Sequence, residues 1–265
     1  MTVASEKEIE TLRGCGRRLA EVLASVKQAA RSGVSTKELD KLAEGLILSS
    51  GGEPIFKGYK TKLDPRPYPG SLCVSVNDEV VHGIPTEKRI LKEGDIVGLD
   101  IGMRWPAFAK ASAGKPQGLV TDMAETIGIG KVSPKAEKIM RATKESLELG
   151  IRMLAPGVRL GDLGYTIQEH LERNGYGVIR DLSGHGVGRE LHEDPFVPNF
   201  GKPGTGPKIR EGMVIAIEPM ATEGDWHLIL DKDGWTLKTS DGKLAAHFEH
   251  TVLITKDGAE VLTQL

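Results

Sequence analysis

Cysteine is scarce in this 265-residue chain, which carries only Cys15 and Cys73. Two thiols build no disulfide framework, and they suit a reducing compartment. Long apolar runs are missing too: no stretch approaches the roughly 18 apolar residues of a membrane span. The N-terminus, MTVASEKEIE, is polar and acidic and lacks the apolar centre of a secretory signal. Neither sign of charge dominates, with a net −2, so there is no electrostatic case for nucleic acid as the main partner. The lysine-bearing run KGYKTK (57–62) reads as solvated loop. What remains is an ordinary globular profile, 39% hydrophobic and 27% charged, long enough for a real core. The expectation is a soluble cytoplasmic protein.

Helical spacing is clear in the first thirty residues. Ile9, Leu12, Leu19, Val22, Leu23, Val26 and Ala29 mark a helix over 5–31, with Ser5 as N-cap, Glu8 three residues on and Gly33 as the stop. Ser35 or Thr36 starts a second helix that runs to about residue 49. A similar unit returns: Ser133-Pro134 opens a helix to about 154, Pro156-Gly157 breaks it, and 160–173 form another. Gly33 and Gly157, Leu39 and Leu163, and Gly51 and Gly175 are each offset by 124 residues. This predicts two related α+β halves, about 5–125 and 126–265, within one catalytic domain spanning 1–265. Strands are predicted at 72–76, 96–101, 178–182, 213–217 and 251–254. The Ala-, Gly-, Lys- and Pro-rich stretch 104–120 reads as a surface insertion. A cleft between the two halves is the expected place for a site.

The stretch SGHGVGRELHEDP (183–195) sets two histidines seven residues apart, with glycines at 184, 186 and 188 around the first. Glycine at that density opposes a helix, and in a strand an odd offset sends two side chains to opposite faces. If His185 and His192 serve one site, the chain bends between them. Alone, the stretch reads equally well as a glycine-rich turn with two incidental histidines. Four carboxylates tip the balance. Asp100, Asp122, Glu218 and Glu249 each interrupt an apolar run: DIVGLDIG, VTDMAETIGIG, MVIAIEPM and HFEHTVLI. Any one of them would ordinarily lie on a solvent face or in an ion pair. An unpaired buried carboxylate costs several kcal/mol or is neutralised, and gathering several around divalent cations removes that cost. Four carboxylates and one imidazole are too many ligands for a single compact ion; two ions sharing bridging carboxylates fit better. The oxygen-rich set suits Mn, Fe or Co, with Zn also compatible. His82, in SVNDEVVHGIP, and His192 join the site as proton donors or oxyanion partners. His247 and His250 are expected to face away from Glu249.

Taken in order, SVNDEVVHGIP, GDIVGLDIG, SGHGVGRELHEDP, GMVIAIEPM and DGWTLKTSDGKLAAHFEHTVLIT resemble type I methionine aminopeptidases over roughly residues 5–263. The resemblance implies the pita-bread α/β (α+β) fold, two pseudo-symmetric halves with a central antiparallel sheet and outer helices around a dinuclear metal cleft. It implies the metal ligands Asp100, Asp122, His185, Glu218 and Glu249. Asp122 and Glu249 would bridge two ions (Co, Mn, Fe or Zn), with Asp100 on one ion and His185 and Glu218 on the other. It implies catalytic roles for His82, His192 and Glu218, and a methionine pocket of Phe56, Tyr59, Tyr68, Cys73, Leu191 and Trp235, where aromatic and sulfur contacts suit a thioether.

Asp100 and Asp122 stand 22 residues apart, about twice the family's spacing, and the 104–120 insertion is the cause. Longer loops cost little closure entropy, about 0.6 kcal/mol per doubling, so the insertion is expected to bulge outward while Asp122 keeps its place. The implied activity is removal of the N-terminal methionine from nascent chains and peptides with a small second residue. The implied protein is a monomer, with ribosome contact compatible and neither membrane nor nucleic acid as partner. A proline-specific aminopeptidase of the same fold would carry a large N-terminal domain, and about five residues precede the first helix here. A metal-free binding relative would lack ligands, and a type II enzyme would lengthen the 26-residue step from His192 to Glu218.

Overall fold

Helix starts follow the caps. In the computed structural model, which describes residues 2–3, 5–60, 66–106 and 118–265, α1 (Glu6–Ala29) begins at Ser5, whose side chain accepts from the Glu8 amide. α2 (Thr36–Ser49) opens with a reciprocal box in which the Glu38 N–H donates to Ser35 Oγ and the Ser35 N–H to the Glu38 carboxylate. α3 (Pro134–Arg152) has Ser133 as N-cap and proline in its first turn. α4 (Leu160–Arg173) starts at Arg159, whose N–H donates to Asp162.

The 124-residue offset lands on matched backbone. Gly33 and Gly157 take φ of 92° and 99°, in the left-handed region. Each donates its N–H to a later strand-like segment, Gly33 to Leu91 O and Gly157 to Ile209 O, both at 2.9 Å. Leu91 and Ile209 return the bond to Val34 and Val158 at 2.9 and 2.7 Å.

The first half supplies β1 (Glu53–Pro54), β2 (Cys73–Val76), β3 (Glu79–Val81), β4 (Ile96–Trp105) and β5 (Leu119–Gly128). The second supplies β6 (Gly177–Val178), β7 (Ser183–Gly186), β8 (Glu193–Pro198), β9 (Val214–Ile217), β10 (Met220–Thr222), β11 (Leu228–Leu230), β12 (Leu237–Thr239), β13 (Ala245–Thr255) and β14 (Gly258–Val261). The main antiparallel sheet runs β1-β4-β5-β13-β9-β7-β8, with β2 on β4, β10 and β14 on β13, and β6 on β10. A second sheet, β11-β12-β3, flanks it. The halves meet where β5 pairs β13, with Glu249 opposite Ala124 and His250 opposite Met123.

One face of the main sheet is covered by helices. Val97, Leu99, Ile101 and Met103 of β4 join α1 and α2 residues such as Leu19, Leu23 and Ile47 in one core. Ile215, Ile217, Val252 and Ile254 do the same with Ile139, Leu163 and Ile167 of α3 and α4. Strand alternation then turns Gly98, Asp100 and Gly102 to the other face. At Gly102 that face is filled by the Phe56 ring, which a Cβ would meet at 2.7 Å.

Several strands differ from their sequence reading. Pairing extends 96–101 to Trp105 and carries 251–254 back to Ala245. The stretch 178–182 is not one strand: Gly177–Val178 pair with β10, Ile179 adds one bond to Met220, and the next strand starts at Ser183. The ends of the 104–120 stretch are also strand, with Arg104 opposite Val120 and Trp105 opposite Leu119. Arg104 Nη1 donates to Gly118 O and Arg189 O at 3.1 and 2.8 Å, pinning the base of the hairpin. Residues 107–117, the middle of the insertion, lie outside the described residues. Among the described residues no helix is long and apolar enough to cross a membrane.

Candidate active site

The glycines around His185 are there for want of room. A Cβ on Gly184 would lie 2.3 Å from Ala216 O, and one on Gly186 would lie 2.2 Å from Asp194 O. Gly188 adopts φ 142°, and its carbonyl accepts from the Val120 N–H at 2.7 Å. β7 is thus pressed between β9 and β8 with no side chain to spare. Its register slips between His185 and Gly186, and the chain turns before β8. That turn brings the two imidazoles to one side, with ring centroids 4.4 Å apart. His185 Nδ1–H donates to Gly186 O at 3.0 Å. Its Nε2 lies 3.7 Å from Glu218 Oε1 and 3.9 Å from Asp122 Oδ2.

The four carboxylates arrive from four positions in the sheet. Asp100 comes from β4 opposite Cys73, Asp122 from β5, Glu218 from just beyond β9, and Glu249 from mid-β13. Asp122 is clamped through its backbone: its N–H donates to Thr251 Oγ1 at 2.9 Å, and that hydroxyl donates back to Asp122 O at 2.7 Å. Asp122, His185 and Glu249 each place a ligating atom within 4.8 Å of the others. Asp100 and Glu218 stand outside that tightest trio and line the same cavity.

Electrostatics set the acids apart. Burial, opposed by His247 and reinforced by Glu218, pushes the Asp100 carboxyl up to about 7. Burial and neighbouring carboxylates hold Asp122 and Glu249 well above the usual range. For Glu218 burial acts upward, but His247, His185 and His192 outweigh it and hold the group below its ordinary value. Asp100 Oδ1, Asp122 Oδ1 and Glu249 Oε1 are buried with no hydrogen-bond partner among the described residues. Orphaned carboxylate oxygens and an imidazole nitrogen are donors suited to divalent cations, so these residues fit a metal centre.

The cavity, about 270 Å³, is also lined by His82, His192, Phe56, Tyr59, Tyr68, Cys73, Leu191 and Trp235. The structure therefore gathers every site residue named from the sequence around one space. It adds Val81, Leu182 and Ser183, which no sequence pattern marked. His82 takes φ 58°, rare for a residue with a side chain, and burial lowers its imidazole to about 4. Burial, then His185, lowers His192 to about 4 as well. Tyr68 donates its hydroxyl to Gly83 O at 2.8 Å and meets Trp235 edge-on at 5.3 Å. Tyr59 Oη lies 2.6 Å from His192 Nδ1.

One histidine corrects the sequence reading. His247, expected to face away from Glu249, is 2% exposed and places Nε2 3.4 Å from Glu218 Oε2. It precedes Glu249 by two residues, and in a strand that spacing keeps both on one face. His250, one residue on, does face away and meets Thr263 Oγ1 at 2.9 Å.

This architecture and sequence have known counterparts. The model of metallopeptidase family M24 matches residues 10–256. The methionine aminopeptidase of Clostridium acetobutylicum is 44% identical over 261 residues, covering 98% of each chain. Methionine aminopeptidase 1 of Bacillus subtilis is 42% identical, over 98% of this chain and 97% of that one. The crystal structure of methionine aminopeptidase from Thermotoga maritima matches with a TM-score of 0.91 at 44% identity, covering all of both chains. Prolidase from Pyrococcus horikoshii matches at 0.74 and 23% identity, over 99% of this chain and 63% of that one, a likeness of fold alone. The architecture is the pita-bread fold.

Proposed function

The chain belongs to metallopeptidase family M24, and from that premise we propose that it removes the N-terminal methionine of peptides and nascent chains, acting as a monomer in the cytoplasm. Asp100, Asp122, His185, Glu218 and Glu249 would hold two divalent ions (Co, Mn, Fe or Zn). When bound, the ions supply Lewis-acid activation of a water and of the scissile carbonyl. The chain's own groups do the rest. The methionine side chain enters between Phe56, Tyr59, Tyr68, Cys73, Leu191 and Trp235, and the free α-amine lies beside Asp100. Glu218, held below its ordinary value with the His247 hydrogen bond the largest lowering cause, takes the proton of the attacking water and returns it to the leaving nitrogen. His192 donates to the carbonyl oxygen as negative charge builds there. His82 contacts the nitrogen of the second residue. Val81 and Leu182 line the same cavity, and a small second residue, Gly, Ala, Ser or Thr, is the preference that goes with this reading.

The observation that carries this reading is the sharing of one cavity by buried carboxylates with partnerless oxygens and by aromatic and thiol side chains. The test is methionine release from Met-Ala-Ser by the purified chain with added divalent metal, with an Ala-Pro peptide as the control. Release from Met-Ala-Ser alone, lost in Glu218→Ala and His82→Ala, is expected. Cleavage of Ala-Pro alone overturns the specificity, and undiminished release in either variant overturns the roles.

A further inference from the structure

Tyr59 touches more than the pocket. Its hydroxyl lies 2.6 Å from His192 Nδ1, and the two rings meet edge-on with centroids 5.2 Å apart. We infer that the Tyr59 hydroxyl selects the tautomer of His192, making Tyr59 a positioning residue for the oxyanion donor. A neutral imidazole carries one proton. A phenol that donates to Nδ1 makes that nitrogen the acceptor and leaves the proton on Nε2. The opposite tautomer would turn a lone pair toward a carbonyl oxygen gaining negative charge, where a donor is needed.

The phenol is itself held in place. Tyr59 N–H donates to Phe56 O at 2.9 Å, Tyr68 N–H donates to Tyr59 O at 2.8 Å, and Gly58 N–H donates to Tyr68 O at 2.8 Å. The backbone on either side of Tyr59 is thus tied to Tyr68, whose own hydroxyl is fixed on Gly83 O at 2.8 Å. The brace reaches His192 from a different part of the chain, since the two residues are 133 positions apart. One residue then joins the wall that receives the side chain to the group that meets the carbonyl. Both the tautomer and its catalytic consequence rest on the role proposed for His192, because the phenol contact by itself allows the proton on either ring nitrogen.

The experiment uses the full chain with ¹⁵N-labelled histidine, loaded with zinc, at pH 8, above the ordinary imidazole pKa of about 6.5. The His192 signals are those lost from the His192→Asn spectrum. In the unmodified protein His192 is expected to show a protonated Nε2 and a bare Nδ1. In Tyr59→Phe, which keeps the ring, the two tautomers mix. On Met-Ala-Ser, kcat then falls about 10- to 100-fold while KM stays within about threefold. A protonated Nδ1 in the unmodified protein, or an unchanged tautomer in Tyr59→Phe, overturns the inference. The expected spectra in a protein that releases no methionine uphold the tautomer assignment and sink the peptidase reading instead.

Discussion

On β13 alternate side chains share a face, and a count of two puts His247 on the side of Glu249 where a count of one puts His250 behind the sheet. That arithmetic was available in HFEHT; it is the partner, Glu218 on a distant strand, that no local pattern contains. The acids and His185 were legible because carboxylates and clustered glycines are out of place in apolar strands. Val81 and Leu182 were not, since nothing distinguishes an aliphatic residue that lines a cavity from one that fills a core. The glycines make the sharpest residue-scale test. Gly184→Ala forces a Cβ to 2.3 Å from Ala216 O, between paired strands that have little freedom to part. A loss of about 2–3 kcal/mol in urea unfolding is expected, and a loss under about 0.5 kcal/mol would show that β7 and β9 yield. Cys15 gives a test with a sign. It is fully buried, Thr121 donates to its sulfur at 3.2 Å, and burial pushes its thiol from 9.0 up to about 11. Between those values the unfolded chain releases the proton and the folded chain keeps it. The contribution of this thiol to stability is therefore full below pH 9 and is lost as pH rises toward 11. Urea midpoints from pH 8 to 11 are expected to fall less steeply in Cys15→Ala, by about 2–3 kcal/mol over the window; parallel curves would remove Cys15 from the account.

Elements were legible where local chemistry sufficed. Ser5, Ser35 and Ser133 each cap the helix that the apolar spacing announces, and α4 occupies Leu160–Arg173. Strands shorter than four residues, such as β3, β11 and β12, carry too few alternations to register. They exist because a neighbouring strand offers its edge. The link between α2 and β2 has the same character. Asp40, 1% exposed, accepts from Ser71 N–H at 2.6 Å and Leu72 N–H at 3.1 Å, and Lys37 Nζ donates to it at 2.6 Å. The next residue, Cys73, opens β2 opposite Asp100. A helix carboxylate thereby sets where the cavity wall begins. Asp40→Ala leaves two backbone donors without their acceptor and Lys37 without its partner. A cost of about 2–5 kcal/mol is expected, with a raised KM for methionyl peptides because Cys73 loses its fixed start. Differential scanning calorimetry and steady-state kinetics read the two effects, and an unaltered melting temperature would dissolve the link.

The whole molecule is two halves closed over a cluster of like charges. The 124-residue offset predicted two halves, and at its pairs Gly33 and Gly157, and Gly51 and Gly175, the backbone is left-handed alike; it did not predict a seam. That seam is β5 on β13, and it sets Asp122 and Glu249, one from each half, near His185. Burial drives both carboxyls well above their ordinary values, reinforced at Asp122 by Asp100 and Glu218 and at Glu249 chiefly by Asp122. The fold carries this burial as a cost of the site, which a bound cation removes. Two consequences follow with opposite signs. Saturating divalent metal should stabilise the intact chain by about 2.7 kcal/mol at a hundredfold excess over Kd, raising Tm by roughly 5–10 °C for a chain of this size. Asp122→Asn should erase that gain and bind less metal, while its metal-free Tm equals or exceeds that of the unmodified metal-free chain, because an amide needs no proton where the buried carboxyl must take one up on folding. Melting curves of both proteins, with chelator and with Mn²⁺, measure all four states. A metal-free Asp122→Asn chain that melts several degrees lower would mean that Asp122 holds the seam by its own hydrogen bonding, and that the cluster is a structural brace before it is a site.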